Sequence, residues 1–178
     1  MFNVNQLIGF GATNSIPPAW YTVFTQTLNT NSSSPAGYCF RQTVAISNLG
    51  ISTTKVRVSI SGNTASSSTV SNWSIGVTDV APNTVATPVE LLISSASGFN
   101  LSAGASAVSD EATFSLTGSE TNLTIVFDLA NGNTRHNNSS SNTLYYKAAT
   151  ASYNQSSVTG FAGTANQASF VTKIELYG

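Results

Sequence analysis

Charge is what this chain has least of. Six Lys and Arg and seven Asp and Glu make up 7% of 178 residues, for a net charge of −1, whereas about a quarter of an ordinary soluble domain is charged. Six cations cannot form a basic stripe, which excludes electrostatic binding of nucleic acid. A single Cys and a single His exclude an intrachain disulfide and a zinc site built from those residue types. No apolar run approaches the roughly eighteen residues of a membrane-spanning helix. The first basic residue is Arg41. With no basic n-region and no sustained apolar h-region ahead of it, the N-terminal stretch predicts no secretory signal peptide.

Hydroxyl and amide groups take the place of charge. The chain holds 28 Ser, 23 Thr and 18 Asn, together 69 of the 178 residues. Such a surface is typical of proteins that work outside cells, although no signal peptide is predicted. An excised domain, a signal-independent route and a virus particle released by lysis each reconcile the two, and a start at Met1 points to the particle. Hydrophobic residues make up 40%, enough for one domain with a core. They fall in strand-length runs, which argues against disorder.

The periodicity is that of β-structure throughout. Phe40, Val44 and Ile46 recur at even spacing, and Val56, Val58 and Ile60 alternate with Lys55, Arg57, Ser59 and Ser61. Trp73, Ile75 and Val77 repeat the theme, as do Phe114 and Leu116. The run Leu123, Ile125, Phe127 and Leu129 is the strongest, followed by a turn at Asn131-Gly132-Asn133. A shorter apolar run spans Val89 to Ile93, and another segment begins at Tyr145-Tyr146. The last strand, Ser169 to Tyr177, buries either Phe170, Ile174 and Leu176 or the Val171 and Tyr177 face. Eight to ten strands between Gly, Asn and Ser turns predict a single all-β domain, an antiparallel β-sandwich of jelly-roll type over residues 22–178. Residues 1–21, with Pro17-Pro18 ahead of Trp20-Tyr21, read as an extended N-terminal arm. Polar stretches at 29–37, 62–71 and 132–142 read as long loops.

Chemistry is sparse. The acids Asp79, Glu90, Asp110, Glu111, Glu120, Asp128 and Glu175 include one adjacent pair, Asp110-Glu111, whose side chains point to opposite faces of a strand and read as a solvated strand entrance. His136, in a polar stretch with Arg135, reads as an exposed loop histidine, and no nucleophile elbow accompanies it. Its functional alternative is a polar contact to a glycan or a neighbouring subunit. Asp128, Asn131 and Asn133 have the wrong spacing for a calcium loop and read as a turn. Cys39 reads as buried and inert, with pairing across subunits as the alternative. Trp73 falls in phase with a core face, and one of Tyr145 and Tyr146 points outward. Asn-x-Ser/Thr sequons follow from composition. No catalytic, metal or cofactor residue is nominated.

Two ends of the chain carry a resemblance. Asn5-Gln6-Leu7-Ile8-Gly9-Phe10-Gly11 resembles the starts of small virion-associated proteins of tailed bacteriophages. Val171-Thr172-Lys173-Ile174-Glu175-Leu176-Tyr177 resembles the last strand of jelly-roll modules in phage and bacterial surface proteins. Between them, Pro88-Val89-Glu90 through Ser109-Asp110, with Ser102-Ala103-Gly104, is similar to the middle of such modules. The final strand is also similar to the C-terminus of discoidin-type lectin domains, whose paired cysteines this chain lacks. The phage resemblance implies a non-enzymatic, oligomeric structural protein of the virion surface, assembled in the host cytoplasm: a capsid decoration, head fibre or spike subunit. Low charge suits a repeated array, and cyclic closure, a trimer first of all, would hide edge strands. Its expected partners are sister subunits and capsid or tail proteins, met through Phe2, Leu7, Ile8, Phe10, Trp20 and Tyr21. The alternative is a carbohydrate-binding sandwich of a tail fibre or adhesin, touching host glycan through Arg135, His136, Tyr145, Tyr146 and Tyr153.

Overall fold

The computed structural model describes residues 17–33, 36–137, 142–148, 153–165 and 168–178, and among them every regular element is a strand. In chain order these are β1 (Trp20–Thr25), β2 (Thr30–Ser33), β3 (Cys39–Ala45), β4 (Thr53–Ser61), β5 (Ser68–Val77), β6 (Val89–Glu90), β7 (Phe99–Leu101), β8 (Ser106–Val108), β9 (Ala112–Leu116), β10 (Asn122–Leu129), β11 (Asn133–Asn137), β12 (Thr143–Lys147), β13 (Ala162–Ala165), β14 (Ala168–Ser169) and β15 (Val171–Tyr177). One sheet runs β1-β15-β4, with β8 and β9 both on the far side of β4. A second runs β13-β12-β3-β10-β5, with β6 and β7 on β5, and a three-stranded sheet runs β14-β11-β2. All pairings are antiparallel, so the molecule is an all-β sandwich with its core between the two large sheets.

Period two builds that core directly. Val56, Val58 and Ile60 of β4 point inward with Ile174 and Leu176 of β15, and opposite them Leu123, Ile125 and Phe127 of β10 join Trp73 and Ile75 of β5. An aromatic cluster fills the centre: Trp73 meets Phe99 edge-on at 5.4 Å and stacks with Phe127 at 6.0 Å, and Phe170 lies 5.3 Å from Phe127.

The last strand departs from the either-or expectation, because Phe170 and Val171 are both fully buried. Phe170 takes a left-handed backbone, φ 58°, and the pairing with β4 slips between Val171 and Lys173. Together these turn two successive side chains to the same interior.

Three further boundaries differ from the sequence pattern. The first strand begins at Trp20, so Trp20 and Tyr21 belong to the first sheet. The stretches 29–37 and 132–142 contain strands β2 and β11, paired Thr30 to Ser33 against His136 to Asn133. That ladder is polar on both faces and leaves no hydrophobic period to read. The apolar run after Pro88 pairs only at Val89-Glu90, opposite Ile75 and Ser74.

Candidate functional site

Three surfaces concentrate the chemistry of this molecule, and the outer face of the first sheet is the most charged. On β4, Lys55 and Arg57 point away from the core, and on β15 so do Lys173, Glu175 and Tyr177. Arg57 reaches Glu175 with two bonds of 2.9 and 3.2 Å, and Lys173 approaches the same carboxylate at 3.0 Å. These cations hold Glu175 below the usual carboxylate range despite its burial. The Arg57 guanidinium also lies over the Trp20 ring, 4.4 Å from its centroid, and Trp20 packs on Tyr177 at 5.5 Å. Lys55 pairs with the exposed Glu111 at 2.8 Å. Glu111 thus belongs to this face, whereas its neighbour Asp110 turns back and accepts the N–H groups of Ser94 and Ser95, both left-handed.

The outer face of the second sheet is covered instead. Cys39 and Arg41 of β3 lie opposite Asp128 and Val126 of β10, and Cys39, Arg41 and Asp128 are all fully buried. The cover consists of the 79–88 loop and the 153–161 segment. Arg41 donates to the carbonyls of Pro82 and Gln155, one from each, and lies 5.7 Å from the Phe161 ring centroid. Ser74 donates to the Tyr153 carbonyl, Thr84 N–H to Ser156 O, and Val158 N–H to the Asn83 side chain. Gly76 is required here, since a Cβ would stand 2.7 Å from the Thr84 methyl. Burial, helped by Asp128, pushes the Cys39 thiol well above its ordinary pKa. Cys39 is therefore a closed-in thiol, and pairing across subunits has no access to it.

The third surface is a cleft of about 550 Å³ on the open side of the sandwich, between β5 with β6 and β9. Val77, Val85, Val89 and Phe114 line it, with Glu120 at its rim. Val85 is 68% exposed and Val80, in the same loop, 72%. Partial burial opposes ionisation of Glu120, but the N–H groups of Thr117 and Gly118 and the Thr117 hydroxyl outweigh it and hold the carboxyl below its usual range.

No protein-family model matches this chain, and no curated protein matches it.

His136 corrects the sequence reading: it is 5% exposed, not a surface loop residue. The Thr134 hydroxyl lies 2.7 Å from its Nε2 and the Ser169 hydroxyl 2.5 Å from its Nδ1, so the ring fastens β11 to β14. Buried there, it cannot touch a glycan. Arg135 is half-buried on the same strand. Tyr145 lies opposite Arg41, on the covered side, and Tyr153 belongs to the cover itself. Only Tyr146 of that group is exposed, at 38%, with Tyr38 6.4 Å away.

Of the interface candidates, Phe2, Leu7, Ile8 and Phe10 lie outside the described residues. Trp20 is held by Arg57 and Tyr177, and the Tyr21 hydroxyl donates to the Pro17 carbonyl at 2.5 Å. Asp128 is not part of a surface turn, whereas Asn131 and Asn133 tie the β10–β11 turn to Ser67 and Thr69. No sequence period marks the apolar cleft, because Val77, Val85, Val89 and Phe114 come from four separate segments, β5, the 79–88 loop, β6 and β9. Its one sequence signal is two valines, Val80 and Val85, in a loop otherwise rich in turn residues.

Proposed function

We propose that this chain is a structural subunit of a tailed-phage virion surface, a capsid decoration, head fibre or spike component. The observation that carries the reading is the strand order. Counting β6 with β7 and β8 with β9, the main strands are β1, β3, β4, β5, β6/β7, β8/β9, β10 and β15. The first, eighth, third and sixth form one sheet, and the second, seventh, fourth and fifth the other. We read that interleaving as a jelly-roll wind, an architecture found in viral capsid and lectin domains. Strands β11 to β14 are then an insertion before the last strand. Fold alone does not carry function; the resemblances at the two ends of the chain and the scarcity of charge supply the rest.

Acting by shape and burial, such a subunit needs a rigid body and a docking element, and residues ahead of Pro17 are the proposed docking element onto a sister subunit or the shell. A cyclic homo-oligomer, a trimer first of all, is the proposed assembly. The test is quantitative mass spectrometry of density-banded particles from a lysed culture that expresses the chain. A fixed copy number per particle is expected; recovery only in the soluble fraction overturns the reading.

The second reading, a carbohydrate-binding module, retains one specific observation, the exposed Tyr146 beside Tyr38. Saturable binding on a glycan array, abolished by Tyr146→Ala, is the outcome it requires.

A further inference from the structure

We infer that the apolar cleft between β5 with β6 and β9 receives the N-terminal arm, residues 2–10, of a second copy of this chain. The inference rests on the proposed assembly role and names its contact.

The cleft exposes Val85, with Val77 and Val89 half-buried and the buried Phe114 in its lining, on a protein rich in hydroxyl and amide side chains. Beside it β9 pairs with β4, and among the described residues no strand is hydrogen-bonded to its other edge. An apolar cleft beside an open strand edge suits an extended segment with alternating side chains, bonding through its backbone. A candidate segment lies ahead of Pro17, outside the described residues. Phe2, Val4, Ile8 and Phe10 stand at even positions, with Asn3, Asn5 and Gly9 between them, and only Gln6 and Leu7 depart from the alternation. No side chain of residues 1–16 is charged, so burial of residues 2–10 strands no side-chain ion, and the one carboxylate at the rim is already satisfied by Thr117 and Gly118.

Where the arm leaves the sandwich also fits. Ala19 N–H bonds Gly178 O at 2.9 Å, and Gly178 packs on Ser52 and Ile51. Gly118 lies against the Ile51 backbone, and its N–H meets Glu120, which lines the cleft. The exit is thus a few side chains from the cleft, while sixteen extended residues span about 50 Å. That reach exceeds the local step and leaves length for the cleft of a second copy.

The test compares the native mass of four full-length or trimmed proteins by light scattering: wild type, Val85→Asp, Phe10→Asp and the chain from Pro17 onward. Val85 is exposed enough to accept Asp without unfolding, and the trimmed chain keeps every described strand. Wild type is expected as an oligomer and the three others as monomers. A synthetic peptide of residues 1–16 is expected to bind the trimmed chain saturably, and at least about tenfold more weakly when Val85→Asp is added. A monomeric wild type overturns the inference, including the case in which each arm occupies its own cleft. So does an oligomer indifferent to both substitutions. Particle association is read separately, so failure of the virion reading leaves this contact standing or falling by itself.

Discussion

At the scale of single residues, the least expected feature is Arg41, fully buried on the outer face of the second sheet. Its alternation in β3 places it there, and the loops that cover it are held by its own guanidinium. Burial pulls its pKa down, while Cys39 and Asp128 work in the opposite direction. Removing one member of a buried charged group leaves the other uncompensated. Arg41→Ala is expected to cost about 3–5 kcal/mol in urea unfolding, and a double change, Arg41→Met with Asp128→Leu, to cost less. Cys39 yields a second expectation. Its raised pKa and full burial keep the thiolate scarce and out of reach, so a thiol reagent is expected to label the protein only as it unfolds; rapid stoichiometric labelling of native protein would contradict the placement.

Acid dependence belongs to the same scale. Glu120 and Glu175 are both held below the ordinary carboxylate value. Each contributes stability that is complete above the unfolded-state pKa of about 4.3 and is lost as pH falls through its lower folded value. The unfolding midpoint is expected to be insensitive to these two groups above about pH 5 and to drop below it. Glu175→Gln is expected to flatten part of that drop, measured as the urea midpoint against pH.

At the scale of elements, the polar pair β2 and β11 shows how a strand forms with no apolar alternation behind it. Asn63 does much of the holding. Its amide donates to the carbonyls of Ser32 and Thr134, and its carbonyl oxygen accepts the N–H groups of Ala65 and Ser66. Asn63→Ala is expected to cost about 2–3 kcal/mol, since buried backbone groups lose their partners. Hydrogen exchange is expected to rise first in β2 and β11, ahead of β4 and β10. Gly118 does a comparable service at the β9–β10 turn, with φ 92° and the Ile51 backbone where a Cβ would sit, 2.4 Å from its oxygen.

The same elements show what could be read from sequence. Runs such as Val56 to Ile60 and Leu123 to Leu129 declare themselves because one face is buried and period two follows. Strands β2 and β11 lack that pressure, and their Asn, Ser and Thr residues read as loop. His136 was misread for the same reason: its burial comes from β14, more than thirty residues onward, whose Ser169 closes over it. Trp20 and Tyr21 sit behind Pro17-Pro18, which read as the end of an arm, yet pairing with Tyr177 and Leu176 draws them into the sheet.

For the whole molecule, the two outer faces divide the work. One lies open and holds all three ion pairs seen among the described residues; the other is sealed by the 79–88 loop and the 153–161 segment. The exposed Lys55–Glu111 pair contributes little, and the pairs on the buried Glu175 are screened only weakly by salt, so raising salt is expected to leave the unfolding midpoint nearly unchanged. A large salt-induced loss would mean that the ladder around Glu175 is the main support of the first sheet.

Composition and period by themselves determined that this chain is all-β, sparsely charged and built on a core of alternating Val, Ile, Leu and aromatic residues. Those properties are local, repeated every second residue and summed along the chain. The interleaved strand order, the burial of Arg41 and His136, the double burial of Phe170 and Val171, and the apolar cleft were decided only by tertiary structure. Each depends on which distant strand arrives alongside, and a pairing between remote segments leaves no mark in the spacing of either one.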